Sequence, residues 1–121
     1  MALVDDEVSR GTQLLLSSQA EVAAGIDGLF DQLLAVPSDP RGPLYEAMRH
    51  AAVAGGKRLR PLLVRAAGDL FHVDRALTLR VGAAVEAMHV YSLIHDDLPC
   101  MDDDDLRRGR ATLHRAFDEA T

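Results

Sequence analysis

Apolar residues recur at intervals of three and four along most of the chain, and this spacing predicts amphipathic helices. The first helix is predicted over residues 12–36. Its apolar face comprises Val22, Ile26, Leu29, Leu33 and Val36. Residues 37–43 contain three prolines and a glycine, so they are predicted to connect this helix to the next one.

Two shorter helices are predicted to follow this connection. The second helix covers residues 44–54, and the adjacent Gly55 and Gly56 are expected to end it. The third covers roughly residues 62–71. Pro61 is well placed near its start, where a missing backbone N–H costs little.

A longer fourth helix is predicted from the N-cap residue Asp74 to about His95. Pro99 is expected to end or kink it, because proline removes a backbone donor. One face of this helix is apolar and comprises Leu77, Val81, Ala84, Met88 and Tyr91. A second face is mixed and comprises Val85, His89, Ser92 and Asp96.

The last helical pattern begins near Thr112 and is predicted to be still running at Thr121, with no glycine or proline to close it. We therefore expect the chain to be truncated. No segment alternates apolar and polar residues in the manner of a strand. The predicted fold class is all-α.

Composition limits the class of protein. A chain of 121 residues that is 48% hydrophobic can bury a core and forms one small domain or part of a larger one. It has no apolar run of about 18 residues, so no membrane span is expected. The first residues lack the pattern of a signal peptide, and Cys100 is the single cysteine. A cytoplasmic location is therefore expected.

The negative charge is concentrated in one place. Six aspartates lie within residues 96–105, and without them the acidic and basic residues of the chain are equal in number. Such a concentration indicates a site rather than a generally acidic surface. Binding of nucleic acid is not expected, because it would need an excess of basic residues.

The acidic segment has the residues of a metal–diphosphate site. Asp96 and Asp97 end the fourth helix, and the break at Pro99 would let Asp102 turn back toward them. Magnesium prefers a few carboxylates together with water and phosphate oxygens. The following arginines, Arg107 and Arg108, would bind phosphate. The alternative is a solvated acidic turn, whereas a calcium-binding EF-hand is excluded by the spacing.

A second candidate site is GGKRLRP, residues 55–61. Its two glycines would let the backbone approach a ligand closely, and Lys57, Arg58 and Arg60 supply donors at the start of a helix. The segment is not a Walker P-loop, because alanine and arginine stand at positions 51 and 58. The alternative is a helix C-cap followed by a basic turn.

These segments resemble the trans-type isoprenyl diphosphate synthases, the family of the farnesyl and geranylgeranyl diphosphate synthases. The blocks that carry the resemblance are GGKRLRP at 55–61, VEAMHVYSLIHDDLPCMDDDDLRRG at 85–109 and TLHRAFDEA at 112–120. The resemblance implies the N-terminal portion of the isoprenoid synthase helical bundle. Residues 1–121 would then be an incomplete polyprenyl synthetase domain, with the first aspartate-rich motif present and the second absent.

The resemblance also implies roles for individual residues. The first aspartate-rich motif would be Asp96, Asp97 and Asp102, with Asp96 and Asp102 as the direct ligands of Mg²⁺ or, alternatively, Mn²⁺. Arg107 would bind the allylic diphosphate that the metal holds. The diphosphate of isopentenyl diphosphate would be bound by Lys57, Arg60, His89 and Arg108. The role of Arg58 is left open.

The implied reaction condenses an allylic diphosphate (dimethylallyl or geranyl diphosphate) with isopentenyl diphosphate. Tyr91 and Ser92 would form the floor of the pocket for the growing chain, which favours a C15 product over C10 or C20. Tyr91 is equally interpretable as an ordinary core aromatic residue. Members of the family are commonly homodimers, so a homodimer is expected when the protein is complete.

Two departures from the family pattern limit these expectations. Alanine stands at position 111, where the family usually has proline, and the family's chain is more than twice as long. The piece alone is therefore expected to be inactive. Two alternatives stay open: a non-catalytic subunit or diphosphate-binding module completed by a partner chain, and a fragment of a class I terpene cyclase. GGKRLRP argues against the cyclase, which has no second diphosphate to bind.

Overall fold

The computed structural model describes the backbone of residues 2–53 and 55–121, and the side chains of residues 6–53 and 55–121. Its elements are α1 (Ala2–Leu33), α2 (Gly42–Ala52), α3 (Leu59–Leu70), α4 (Arg75–Asp96), β1 (Leu106–Arg107), β2 (Arg110–Ala111) and α5 (Leu113–Ala116). The predicted all-α class is confirmed. None of the described helices has the length and hydropathy that a membrane span requires.

The helix boundaries agree with the sequence within a few residues, except at the start of α1 and at the end of the last helix. Helix α1 begins ten residues earlier than predicted and ends before Pro37, whose ring restricts the preceding residue. Pro43 lies in the first turn of α2. The predicted end of that helix at Ala54 lies outside the described residues.

The predicted N-cap of α4 is confirmed. The Asp74 carboxylate accepts hydrogen bonds from the backbone N–H groups of Ala76 (2.9 Å) and Leu77 (3.2 Å). These bonds satisfy two of the donors that the first turn of a helix leaves free, so this end of α4 is fixed.

The core lies where α1, α2, α3 and α4 meet. Its buried apolar residues are Val22, Ile26, Phe30, Ala52, Leu62 and Ala83. The predicted apolar face of α1 is correct for Val22 and Ile26 but wrong for Leu33 and Val36, which are exposed. Phe30 supplies the next buried turn instead, and the chain leaves the core after it.

Small residues let α3 and α4 approach each other closely. A Cβ atom on Gly82 would lie 3.2 Å from the Cβ atom of Pro61, and one on Gly68 would overlap the Thr78 methyl group. The buried face of α4 therefore comprises Thr78, Gly82, Ala83 and Glu86. The apolar face predicted for α4 lies on the exposed side of the helix instead. Its residues Leu77, Val81, Met88 and Tyr91 are each more than half exposed.

Two predictions for the last segment are wrong: that the chain contains no strand, and that its last helix continues to Thr121. Residues 106–111 form a two-stranded antiparallel hairpin whose turn residues, Arg108 and Gly109, both have positive φ. This is the geometry of a tight two-residue hairpin turn. The predicted last helix also ends early, at Ala116. Beyond it the Asp118 carboxylate accepts hydrogen bonds from the N–H groups of Ala120 and Thr121, which competes with helical bonding.

Candidate functional site

The loop after α4 brings residue 102 back to the end of the helix, as the position of Pro99 predicts. The backbone N–H of Asp102 donates to the carbonyl of Asp96 at 2.9 Å, and the Leu98 carbonyl accepts from Met101 (2.9 Å) and Asp103 (3.1 Å). These bonds hold the loop as a compact turn. Asp96 and Asp102, the two residues that the first of these backbone hydrogen bonds joins, are both exposed.

The three predicted motif aspartates are not equivalent. Asp96 and Asp102 are exposed, whereas Asp97 is only 4% exposed and binds Arg107. The Arg107 Nε and Nη2 atoms donate to the two Asp97 carboxylate oxygens at 2.7 and 2.6 Å. This is the bidentate geometry in which an arginine is held most rigidly. The Asp97 carboxylate is therefore engaged by Arg107, whereas those of Asp96 and Asp102 are exposed to solvent.

The remaining carboxylates suit a magnesium ion that a substrate helps to bind. Within residues 6–53 and 55–121, no three His, Cys, Asp or Glu side chains are gathered into a ready metal site. Magnesium does not need such a cage, because it retains water and takes one or two carboxylates together with substrate phosphates. The exposed oxygen ligands of Asp96 and Asp102 fit this requirement.

Arg107 is a fixed cation beside the loop that carries the six aspartates, residues 96–105, called the aspartate loop below. The hydrogen bonds that Arg107 donates to Asp97 raise the pKa of its guanidinium above the usual value, against the opposing effect of burial, and the charges of Asp97, Asp104 and Asp96 add to the increase. About one third of its side chain stays exposed. An anion at the loop would therefore meet a charged group whose direction is already set.

The hairpin directs its two adjacent arginines to different places. Arg107 turns toward Asp97, whereas the Arg108 guanidinium donates to the backbone carbonyl of Gly55. Gly56 makes room for this contact, because a Cβ atom there would overlap the guanidinium of Arg108. The aspartate loop and the glycine-rich segment (residues 55–61) are thus connected through one hairpin.

A basic cavity of about 610 Å³ lies on the Gly56 side of this hairpin. It is lined by Gln19, Gly56, Lys57, Arg60, His89 and Arg108, together with parts of Arg58, Leu59 and Glu86. Among the described residues, no carboxylate lies within 4.0 Å of the charged groups of Lys57, Arg60 or Arg108. Uncompensated cations that converge on one cavity favour an anionic ligand.

His89 lies half-buried in the same cavity. Burial lowers the pKa of its imidazole below the ordinary value of 6.5, and the positive charges of Arg60, Arg108 and Arg107 lower it further. The charge of Glu86 opposes this decrease. The imidazole is therefore mainly neutral at pH 7, and a bound anion would favour its protonation.

Three residues at this cavity were not assigned from the sequence. Gln19, on α1, donates a hydrogen bond from Nε2 to the Lys57 carbonyl at 2.8 Å, and nothing in its sequence context indicates this contact. The roles of Arg58 and Glu86 were left open. The structure pairs them with each other at 3.0 Å, and both side chains are buried.

The predicted chain-length residues, Tyr91 and Ser92, are both exposed in the described part of the chain. The Tyr91 side chain is 56% exposed, so within the described residues it is not a core aromatic. Its ring lies 4.2 Å from that of His95, whose Nδ1 is 2.9 Å from the Tyr91 carbonyl in the last turn of α4. Ser92 donates a hydrogen bond to the His89 carbonyl at 2.7 Å. Their role in product length stays a prediction.

The family is shown by comparison with known proteins. The sequence model described as "Polyprenyl synthetase" matches residues 42–121, which include the glycine-rich segment, the aspartate loop and the hairpin. The chain therefore belongs to the polyprenyl synthetase family, and the resemblance inferred from its motifs is confirmed.

Its relatives are longer proteins. Over 79 residues the chain is 57% identical to a farnesyl diphosphate synthase of Haemophilus influenzae, an alignment that covers 65% of this chain and 27% of that protein. A farnesyl diphosphate synthase of Escherichia coli is 58% identical over 78 residues, with 64% and 26% coverage. The chain thus spans about a quarter of the length of these curated relatives.

Solved structures share the fold. A crystal structure of an FPP/GFPP synthase from Zymomonas mobilis is 63% identical with a TM-score of 0.86, over 88% of this chain and 38% of that one. A geranyltransferase from Legionella pneumophila is 44% identical with a TM-score of 0.82, over 91% and 38% respectively. The helical isoprenoid synthase fold predicted for the chain is therefore confirmed.

Proposed function

We propose that this chain is the N-terminal part of a Mg²⁺-dependent prenyltransferase that condenses isopentenyl diphosphate with an allylic diphosphate. One observation carries the proposal. A single hairpin directs one arginine to an aspartate loop and the next arginine to a cavity of uncompensated cations. Two anions could thus be bound side by side, one through a metal and one directly. The names of the relatives, farnesyl diphosphate synthase and geranyltransferase, support the same reaction.

The proposal assigns the allylic diphosphate to the aspartate loop. Asp96 and Asp102 would hold Mg²⁺ or Mn²⁺, and Arg107 would contact the phosphate oxygens while Asp97 fixes its direction. A bound Mg²⁺ would supply stabilisation of the charge that develops on the diphosphate oxygens. Lys57, Arg60, His89 and Arg108 would hold the diphosphate of isopentenyl diphosphate in the cavity.

In the proposed reaction, the allylic C–O bond breaks and its electron pair leaves with the diphosphate. The double bond of isopentenyl diphosphate then forms a C–C bond to the allylic carbon, and transfer of a proton to the released diphosphate, the proposed base, restores a double bond. The fixed cations contribute by stabilising the departing anion without having to reorient. A C15 product, a homodimer of the complete protein and a cytoplasmic location belong to the same proposal.

The proposal is tested with the gene product after its intact mass has been measured. A product much heavier than 13.1 kDa is expected to convert isopentenyl and geranyl diphosphates, in the presence of Mg²⁺, to a C15 diphosphate. Failure to form any condensation product would overturn the proposal. A product of 13.1 kDa is expected to bind isopentenyl diphosphate without turnover, and absence of binding would overturn it too. Turnover that appears only with a second chain would indicate the subunit alternative.

A matched pair of variants tests the metal site. Asp96→Asn removes a proposed ligand and is expected to decrease turnover by about 10²–10³-fold or more, since charge stabilisation at the leaving group is lost. Asp103→Asn makes the same change of charge in the same loop, at an exposed residue outside the proposed site, and should retain turnover. Equal activities of the two variants would contradict the assignment of Asp96.

A further inference from the structure

Arg58 is buried at the junction of the helices, although it lies between residues that face the cavity. Its side chain is only 1% exposed. The guanidinium donates to Glu86 Oε1 (3.0 Å), to Asp27 Oδ1 (2.7 Å) and to the Ala52 carbonyl (2.7 Å). It also lies 5.6 Å from the centre of the Phe30 ring. One side chain therefore connects the start of α3 to α1, α2 and α4.

The backbone of Arg58 sets the directions of its neighbours. Arg58 is the N-cap residue of α3 and has left-handed dihedral angles, φ 48° and ψ 36°. Its side chain points into the core, whereas Lys57 and Arg60 are exposed and line the cavity. An arginine in this conformation is unfavourable unless its surroundings hold it, and the three acceptors supply that hold.

Glu86 connects this anchor to the remaining wall of the cavity. Its side chain is 4% exposed and it lies one turn before His89 on α4. Because residues three apart share a helix face, the Arg58–Glu86 pair joins the segment that bears Lys57 and Arg60 to the helix that bears His89. A buried carboxylate does not itself attract an anion, and its charge acts on His89 only by opposing the decrease of that pKa. Its contribution to the arrangement of the cavity therefore comes through Arg58.

We propose that Arg58 and Glu86 form a positioning pair that sets the Gly55–Arg60 segment and α4 at the separation the cavity needs to bind a diphosphate. This inference rests on the proposed function, and it assigns to Arg58 and Glu86 no contact with the substrate. The pair acts by holding Lys57, Arg60 and His89 in one arrangement before the ligand arrives.

The sign of one effect separates positioning from simple electrostatics. Glu86→Gln removes a negative charge beside an anion site, so electrostatics alone predicts tighter binding of a diphosphate. Positioning predicts weaker binding, by about tenfold or more, because displacement of binding groups by about 1 Å is costly. The measurement is calorimetric titration of the gene product with isopentenyl diphosphate in the presence of EDTA, which removes any metal-dependent binding at the aspartate loop.

Two further variants complete the experiment. Arg58→Lys keeps the charge but cannot reach all three acceptors, and it should also bind isopentenyl diphosphate about tenfold more weakly. Arg49→Lys is the matched control, because Arg49 connects α2 to Asp31 of α1 at 2.5 Å and does not line the cavity. It should bind the ligand as the unmodified protein does.

The outcomes are distinguishable. If the unmodified protein does not bind isopentenyl diphosphate, the proposed function fails at this cavity and the positioning pair fails with it. If the unmodified protein binds but Glu86→Gln and Arg58→Lys bind equally well or more tightly, only the positioning pair is overturned. Should Glu86→Gln fail to fold, as judged by circular dichroism, Arg58→Lys decides by the same criterion.

Discussion

At the scale of single residues, identical arginines have different roles because their partners differ. Arg58 and Arg107 are held by carboxylates, whereas Arg60 and Arg108 have no ion-pair partner within the described residues. Arg58 is neutralised and buried, so it can only position other groups. Arg107 stays about one third exposed and can still meet an anion, as can Arg60 and Arg108.

The first prediction concerns the Asp97–Arg107 pair. Asp97→Asn is expected to release Arg107 and to raise the KM for the allylic diphosphate about tenfold, the loss of one charge-assisted interaction. Asp105→Asn is the matched control, since it breaks the exposed pair with Arg115 and should change neither KM nor stability appreciably. Steady-state kinetics of the gene product with Mg²⁺ measure this, and similar KM values for the two variants would contradict it.

The second prediction is a pH dependence at His89. Since its pKa is lower in the folded protein than in the unfolded chain, protonation opposes folding, and this contribution to stability is lost as the pH falls below 6.5 toward the folded-state pKa. A bound diphosphate adds negative charge and should raise the pKa, so its affinity should increase over the same interval. NMR titration of the His89 ring with and without isopentenyl diphosphate checks this.

The ring of His72 provides the internal control for that titration. His72 is exposed and does not line the cavity, so its resonances should not respond to the ligand. A His89 titration curve that is unchanged by isopentenyl diphosphate, at a concentration that saturates the protein, would contradict the assignment of His89 to the site.

At the scale of elements, the hairpin and the glycine-rich segment form one unit. Arg108 can approach the Gly55 carbonyl because Gly56 has no Cβ atom and has φ 142°, which side chains rarely tolerate. The turn of the hairpin presents Arg108 at the point where the two segments meet. The geometry of the cavity therefore depends on backbone conformation as much as on charged side chains.

The third prediction tests this contact. Gly56→Ala should displace Arg108 and weaken binding of isopentenyl diphosphate about tenfold, equivalent to about 1.4 kcal/mol. Gly28→Ala makes the same substitution in α1, where a Cβ atom meets nothing within 4 Å. It should stabilise the protein by about 0.5–1 kcal/mol without affecting binding. Calorimetry and urea denaturation measure the two effects, and unchanged affinity of Gly56→Ala would contradict the role proposed for Arg108 in binding isopentenyl diphosphate.

At the scale of the whole molecule, the described surface is strongly apolar in places. The exposed side of α4 includes Leu77, Val81, Met88 and Tyr91, and exposed leucines follow one another in α1 at positions 14–16. Monomeric proteins rarely leave large contiguous apolar surfaces in water.

The fourth prediction follows from that surface. A protein consisting of these 121 residues alone should self-associate or bind another chain, which light scattering after size-exclusion chromatography would detect. Leu77→Glu together with Met88→Glu should reduce the association, since both side chains are exposed and neither contributes to the described core. A monodisperse monomer of 13.1 kDa at high concentration would contradict this prediction.

The local sequence was sufficient for elements whose causes are local. Asp74 caps α4 because a carboxylate can reach N–H groups two and three residues ahead, and Pro99 follows the helix end because proline lacks a donor. The hairpin was missed although Gly109 was a usable signal, because Arg108 is not a residue that usually accompanies such a turn. The early end of α5 depends on hydrogen bonds to Asp118 that compete with the helix.

The sequence by itself determined which residue types are available and how charge is grouped: six aspartates near one helix end, two arginines after them and a basic segment behind two glycines. Only the tertiary structure decided which arginine meets which partner. The Asp97–Arg107 pair spans ten residues, the Arg58–Glu86 pair twenty-eight and the Arg108–Gly55 contact fifty-three. Contacts at these separations depend on helix packing, in which Gly82 against Pro61 sets how closely α3 and α4 approach, and no local pattern encodes that distance.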